Sequence, residues 1–194
     1  FMSVMVLNLL ENIIDEQNYT HSASGKTTID SSPAAILEKL NDALTKTLRD
    51  KKTDATSKYG MDIALCALSD GEGGKKNSVL EYAGAHHPLY ILRNNKITEI
   101  RGEGIFIGME SKKFANHTAD LVPGDSVFLF SDGIVDQFGG SPREKLFSFR
   151  FKEWLETFSG KDAKEQHELL KKKFFEWKGN EDQIDDILIM GVTV

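Results

Sequence analysis

The chain has 194 residues, of which 40% are hydrophobic and 28% charged, and this composition indicates one folded domain and excludes a disordered or collagen-like chain. Its single cysteine excludes an intrachain disulfide and favours a reducing compartment, so we expect a cytoplasmic location. The formal net charge of -6 argues against a nucleic-acid partner, because binding to phosphates needs clustered basic residues.

Two amphipathic helices are predicted in the first quarter of the chain. Apolar side chains recur at three- and four-residue steps in residues 2–14, and the polar segment 18–29 predicts a loop or a short strand pair. Ser32 and Pro33 are typical of an N-cap and a first helical turn. They predict a second helix that ends near Arg49.

The middle of the chain has the pattern of consecutive strands, because short apolar runs alternate with turn residues. Residues 63–68 are nearly all apolar, as in a strand covered on both faces, and Cys66 within them is interpreted as a small buried hydrophobe. Asn94 and Asn95 predict a tight hairpin turn. The predicted strands are residues 63–68, 79–83, 89–93, 96–100, 114–121, 127–130 and 187–192.

Two further helices are predicted over residues 143–158 and 162–177, ahead of the last strand. Consecutive hairpins argue against alternating βαβ units. The predicted fold class is therefore α+β, with mostly antiparallel sheet and helices outside it. No segment approaches the roughly 18 unbroken apolar residues of a membrane span.

Three short segments contain residues that can carry chemistry. Asp132 stands in a Ser-Asp-Gly segment at the end of an apolar strand. Asp185 and Asp186 precede the last strand. His86 and His87 lie between two strands. Each segment also has a structural interpretation, since Asp-Gly forms turns, acidic pairs begin exposed strands, and paired histidines hydrogen-bond in loops. For each segment by itself these alternatives stay open.

The two acidic segments are more informative together. If their strands are neighbours, Asp132 and Asp185 converge at one edge of a sheet. Two ionised carboxylates about 4 Å apart repel by roughly 4 kcal/mol at an effective dielectric constant of about 20, so a shared proton or a bound cation is needed. Oxygen ligands with retained waters suit Mg²⁺ or Mn²⁺. The sequence therefore predicts a divalent-metal site at this edge.

Six segments occur in the order and at the spacing of one protein family. They are Leu-Phe-Ser-Asp-Gly-Ile at 129–134, Gly-Gly at 139–140, Tyr-Ala-Gly-Ala-His-His-Pro at 82–88, Gly108, Leu-Val-Pro-Gly-Asp at 121–125 and Gln-Ile-Asp-Asp-Ile at 183–187. Together they resemble the SpoIIE/RsbU-type bacterial serine phosphatases, a branch of the PPM (type 2C) metal-dependent protein phosphatases. The resemblance covers residues 1–194 and implies one partial domain of this type.

The resemblance implies an αββα sandwich of two mostly antiparallel sheets flanked by helices, without its first strands. It implies that Asp132 and Asp185 are metal ligands. Asp136 and Asp186 are implied as secondary ligands, through water or an extra metal, and Gly133 as a point of tight backbone passage.

The resemblance also implies a reaction and partners. Two Mn²⁺ or Mg²⁺ ions would activate a water that attacks phosphoserine or phosphothreonine in line. The implied substrate is a phosphorylated STAS-domain anti-anti-sigma factor, and an upstream sensor or membrane module is implied for the full-length protein. His86 and His87 belong to a loop typical of the family, for which no chemical role follows.

The family's first metal motif, an Asp followed by Gly-His-Gly, is expected just before Phe1 and is absent from these 194 residues. We therefore expect the chain by itself to bind metal weakly, to have little or no activity, and to associate, as a homodimer for example, through exposed sheet edges. The alternative function is a non-catalytic phosphatase-fold interaction module. A third hypothesis is a metal-dependent enzyme that acts on a small phosphoester.

Overall fold

The computed structural model describes residues 2–23, 30–48, 60–70, 78–109 and 113–194. None of the helices in that part of the chain combines the length and apolar sequence that a bilayer span requires. The chain divides into two compact units. The elements in chain order are α1 (Met2–Ala23), α2 (Pro33–Leu48), β1 (Ile63–Asp70), β2 (Ser78–Ala85), β3 (Leu89–Arg93), β4 (Lys96–Ile100), β5 (His117–Leu121), β6 (Ser126–Phe130), α3 (Gly133–Asp136), β7 (Phe138–Gly139), β8 (Glu144–Lys145), α4 (Phe147–Glu156), α5 (Ala163–Lys178) and β9 (Ile189–Thr193).

The two N-terminal helices differ in how well the sequence predicts their ends. Helix α1 continues through residues 18–23, so the predicted loop or strand pair is wrong there, and residues 24–29 lie outside the described residues. Neither Gly nor Pro occurs before Gly25, and polar residues alone do not end a helix. Helix α2 begins as predicted, with the Ser32 hydroxyl accepting a hydrogen bond from the Ala35 N–H at 3.3 Å.

In the first unit, α1 and α2 share an apolar core with a three-stranded sheet of order β1-β2-β5. Strand β1 lies at the edge of this sheet, and Leu68 is 41% exposed, so the prediction of a strand covered on both faces is wrong. Cys66 is half-buried, and burial raises the pKa of its thiol, which favours the small-hydrophobe interpretation. The buried core residues of this unit are Val6, Ile13, Ala34, Leu37, Leu40, Leu44, Ala83, Ala85, Ile107 and Phe114.

The second unit is built on a four-stranded antiparallel sheet of order β4-β3-β6-β9. The hairpin of β3 and β4 confirms the prediction from Asn94 and Asn95, which both adopt the positive φ angles (49° and 61°) that tight hairpin turns require. One face of the sheet packs against α4, where Phe130 and Phe151 meet edge to face with centroids 4.9 Å apart.

The segment between β6 and α4 differs from the prediction of a helix over residues 143–158. Helix α4 begins only at Phe147, and strands β7 and β8 form a small antiparallel pair before it. A distant residue helps to hold the pair, since the Gly140 N–H donates to the Trp177 carbonyl at 2.9 Å. Next to the pair itself, the Leu146 N–H donates to the Gln137 carbonyl at 2.9 Å. Tertiary contacts therefore override the local helical pattern here.

A buried ion pair ties β3 to the turn before β6. The Asp125 carboxylate is 2% exposed and accepts hydrogen bonds from the Arg93 guanidinium, at 2.5 Å from Nη2, and from the Val122 N–H at 2.8 Å. Burial opposes ionisation of Asp125, but these hydrogen bonds outweigh it and hold its pKa below the usual value of 3.8. The pair therefore stabilises the folded state only while Asp125 is ionised.

We expect Asp125→Asn to reduce the free energy of unfolding by about 1–3 kcal/mol near pH 7, because it removes charge-assisted hydrogen bonds from a buried site. A carboxyl with a lowered folded-state pKa contributes its stability above its unfolded pKa and loses it as the pH falls through the folded pKa. The difference between the natural chain and the variant should therefore shrink below about pH 4. Urea unfolding midpoints measured from neutral pH down to about pH 3 check this, and a constant difference would contradict it.

Candidate functional site

Strands β6 and β9 bring the two predicted acidic segments to the same end of one sheet. The strands pair antiparallel, with Phe130 opposite Ile189. Asp132 therefore follows β6 at the end where Asp185 and Asp186 precede β9. The neighbouring strands on which the predicted convergence depended are thus present, and they belong to the same compact unit.

Ser131 and Gly133 hold the two acidic segments in contact. The Ser131 hydroxyl donates to the Asp186 carbonyl at 2.8 Å and accepts from the Leu188 N–H at 2.9 Å. The Ser131 N–H also donates to the Leu188 carbonyl at 2.9 Å. Gly133 is buried against the same backbone, because an added Cβ would lie 3.0 Å from the Asp186 carbonyl carbon and closer still to its oxygen. A side chain at this position would therefore collide with the Asp186 backbone.

The carboxylates at this end of the sheet differ in how far the fold already engages them. The Asp132 side chain is exposed and has no hydrogen-bond or ion-pair partner among the described residues. One Asp185 carboxylate oxygen accepts the Asp186 N–H at 2.7 Å. Asp136 is half-exposed and forms an ion pair with Lys145 at 3.0 Å. Asp136 could therefore bind a cation only if this ion pair were broken. The Asp186 side chain is likewise exposed and has no partner among the described residues, so Asp132 and Asp186 are the carboxylates most available to a ligand.

The donor set at this end of the sheet suits a hard cation without enclosing one. Among the described residues, no three His, Cys, Asp or Glu side chains form a group able to hold a metal ion. The exposed carboxylates of Asp132, Asp185 and Asp186 nevertheless supply oxygen donors. Mg²⁺ is usually bound by one or two carboxylates, with waters and substrate phosphate as the remaining ligands. The residues present therefore fit such a cation as part of its ligand shell.

The paired histidines favour a structural interpretation. His86 belongs to the first unit, has a positive φ of 60°, and stacks on Phe106 with ring centroids 4.2 Å apart. Its N–H donates to the Glu103 carbonyl at 2.8 Å, and the Glu103 N–H donates to the Gly84 carbonyl at 2.7 Å. His87 begins the next segment of the second unit. These contacts account for His86 as a residue that shapes a turn.

Two residues to which the sequence analysis gave no role contact the acidic segments. Ser131 bonds to the backbone on both sides of Ile187, and the hydroxyl beside Asp132 was the only signal of this. Gln137 is fully buried, and its side-chain amide donates to the Asp182 carbonyl at 2.9 Å. The sequence gives no corresponding signal for Gln137, because its burial is visible only in the structure.

Comparison with known families gives a match that spans the whole chain. The family model for Stage II sporulation protein E (SpoIIE) matches residues 1–194. A comparison with curated proteins gives no match.

Several solved phosphatase domains are similar to this chain. The SiaA PP2C domain of Pseudomonas aeruginosa is 25% identical, with a TM-score of 0.73 over 98% of this chain and 69% of that one. The PP2C domain of SpoIIE from Bacillus subtilis, with a fragment of its regulatory domain, is 19% identical, with a TM-score of 0.65 over 98% of this chain and 48% of that one. RsbX in complex with magnesium is 15% identical, with a TM-score of 0.54 over 97% of this chain and 71% of that one. The predicted α+β fold with antiparallel sheets and helices is confirmed by these matches.

Proposed function

The chain belongs to the SpoIIE family of PP2C-type phosphatase domains, and from this premise we propose that it takes part in metal-dependent hydrolysis of phosphoserine or phosphothreonine on a regulatory protein. The observation that supports the proposal is the contact, at the adjoining ends of β6 and β9, between the segment that carries Asp132 and the segment that carries Asp185 and Asp186.

In this proposal the carboxylates hold cations. Asp132 and Asp185 are the primary ligands of Mn²⁺ or Mg²⁺, with Asp186 and Asp136 in secondary roles. When bound, such ions would supply activation of water and neutralisation of charge on the phosphoryl group. Ser131 and Gly133 keep the two ligand-bearing segments at a fixed separation. The chain's own contribution is therefore the position and charge of its carboxylates.

The size of the required rate acceleration explains why the carboxylates are proposed to bind cations and not to act directly as general acids or bases. Hydrolysis of a phosphate monoester can require acceleration of up to ~10²¹-fold. One well-placed general acid or base contributes only about 10²–10⁴-fold. The difference requires a larger source of electrostatic stabilisation, and RsbX in complex with magnesium has the same fold.

The proposed substrate is a phosphorylated STAS-domain protein. Removing a phosphoserine takes away nearly two negative charges and three strong hydrogen-bond acceptors, which is enough to reopen or close a protein interface. A sensor or membrane module in the full-length protein, and a homodimer, are further proposed partners of this domain.

A phosphate-release assay tests the proposal. The full-length protein is mixed with a phosphoserine STAS-domain protein, with a small aryl phosphate as a second substrate, in the presence of Mn²⁺, Mg²⁺ or a chelator. We expect release from the phosphoprotein that depends on the cation and stops with the chelator. Equal release with the chelator would contradict the metal role.

A non-catalytic interaction module is the second candidate, and the observation in its favour is that no group of three metal-binding side chains occurs in the described ranges. Binding of the phosphoprotein without release under any cation would support that candidate. Release from the small ester alone would support an enzyme for small phosphoesters.

A further inference from the structure

We propose that Ser131 is a positioning residue: its hydroxyl sets the separation between Asp132 and the Asp185–Asp186 pair, and thereby the affinity of the site for a divalent cation. Gln137 fastens the other end of the same loop. This inference rests on the proposed function, since it concerns residues that support the proposed cation ligands.

The Ser131 hydroxyl uses both its donor and its acceptor capacity on the acidic loop. It donates to the Asp186 carbonyl at 2.8 Å and accepts from the Leu188 N–H at 2.9 Å. These two bonds bracket Ile187, so they fix the chain direction just after the acidic pair. Because Ser131 is the residue before Asp132, one side chain connects the two ligand-bearing segments directly.

Gln137 fastens the loop where it begins. Its amide nitrogen donates to the Asp182 carbonyl at 2.9 Å, and the side chain is fully buried. Its own backbone carbonyl accepts from the Leu146 N–H at 2.9 Å and from the Trp177 indole at 3.2 Å. Gln137 is therefore a fixed point, and residues 182–188 are attached at both ends to the segment that contains Asp132.

Burial holds this loop mainly at Ile187, which is half-buried and packs against the apolar core of the second unit. Ile184 is 53% exposed and Leu188 is 65% exposed, and the acidic pair between them is also exposed. Because the acidic pair itself is exposed, its position depends on the hydrogen bonds from Ser131 and Gln137 on either side of it. Loss of the Ser131 hydroxyl should consequently displace the carboxylates while the sheet itself stays folded.

A merely structural role for Ser131 can be separated from a positioning role by a control in the same pair of strands. At the opposite end of β6 and β9, the hydroxyls of Ser126 and Thr193 are 3.0 Å apart and bonded. Thr193→Val removes that side-chain bond between the strands with little change in shape. It is the matched control for Ser131→Ala, because it loses a hydroxyl contact at one end of the two strands and Ser131→Ala loses one just beyond their other end.

The test is a Mn²⁺ titration of the full-length protein, followed by the electron paramagnetic resonance signal of free Mn²⁺. Loss of an outer-shell partner typically weakens metal affinity by 10–100-fold, so we expect Ser131→Ala to raise the Mn²⁺ dissociation constant by about 10-fold or more. Ser131→Thr, which keeps a hydroxyl, should stay close to the natural protein, as should Thr193→Val. Gln137→Met, of similar size, should weaken binding in the same direction as Ser131→Ala.

Hydrogen exchange at the Leu188 amide, measured without metal, provides a second readout. Ser131→Ala should speed exchange there, and Thr193→Val should not. If Ser131→Ala and Thr193→Val have the same Mn²⁺ affinity while the natural protein binds the ion, the positioning role is overturned and the proposed function stands. If the natural protein itself shows no saturable Mn²⁺ binding, the proposed metal chemistry and the positioning role fail together. If Ser131→Ala does not fold, the Mn²⁺ affinity of Gln137→Met is compared with that of Thr193→Val instead. Ser131→Thr should then keep the affinity of the natural protein, and an unchanged affinity of Gln137→Met would overturn the proposal.

Discussion

In the full-length protein, replacing Asp132 with asparagine is expected to lower cation-dependent phosphoserine hydrolysis about 10³-fold or more, with little change in the free energy of unfolding. Asparagine has the same shape but lacks the charge that the proposed cation site needs. The Asp132 carboxylate is exposed and has no partner among the described residues, so the fold loses no contact. Exposed substitutions of this kind usually change stability by less than about 0.5 kcal/mol. Phosphate release and thermal unfolding of the same preparations measure the two effects.

A second aspartate of the same unit provides the reciprocal control. Asp162 caps helix α5, where its carboxylate accepts the Glu165 N–H at 2.8 Å and the Glu165 side chain bonds back to the Asp162 N–H. Asp162→Ala should cost about 1 kcal/mol of stability and leave hydrolysis unchanged. If Asp132→Asn keeps more than about a tenth of the activity, Asp132 does not bind the catalytic cation, since a ligand should be worth several kcal/mol.

The parts of the fold that follow local rules were predictable from sequence. Asn94 and Asn95 adopt positive φ with little strain, so a hairpin is encoded in two adjacent residues. Ser32 and Pro33 likewise encode the start of α2 through their own hydrogen bonding and backbone preference. The pair β7 and β8 was not predictable because it depends on Trp177, which lies 37 residues beyond Gly140, and no local pattern indicates such a contact.

The candidate site also contains residues that local sequence patterns reveal and residues that depend on distant contacts. Asp132 and the Asp185–Asp186 pair were detectable because carboxylates next to apolar strands are conspicuous in a sequence. Ser131 and Gln137 were not, because they bond to backbone carbonyls 55 and 45 residues away. A backbone carbonyl has the same chemistry in every residue, so the partner leaves no trace in the sequence. Residues that hold a site together are therefore harder to predict than residues that present its charges.

Gly133→Ala is expected to destabilise the folded protein by about 1–2 kcal/mol and to weaken Mn²⁺ binding. In a helix without such a close contact, the same substitution usually stabilises. Alanine gains at most about 1 kcal/mol from helix propensity, whereas an extra methyl in a packed site costs about 1–3 kcal/mol. The steric cost should dominate here, because the new Cβ would meet the Asp186 backbone and the Ile187 side chain. Backbone cannot move aside as a flexible side chain does, so relief requires the 182–188 loop to shift.

Gly104→Ala is the matched control, because nothing lies within 4 Å of a Cβ added at Gly104. That variant should unfold within about 0.5 kcal/mol of the natural protein and bind Mn²⁺ equally well. Urea unfolding and Mn²⁺ titration of both variants make the comparison. If Gly133→Ala behaves as Gly104→Ala does, the close approach of the two acidic segments is not needed for the site. If Gly133→Ala loses stability and Mn²⁺ affinity together, the contact between Gly133 and Asp186 is needed both for folding of this end of the sheet and for metal binding.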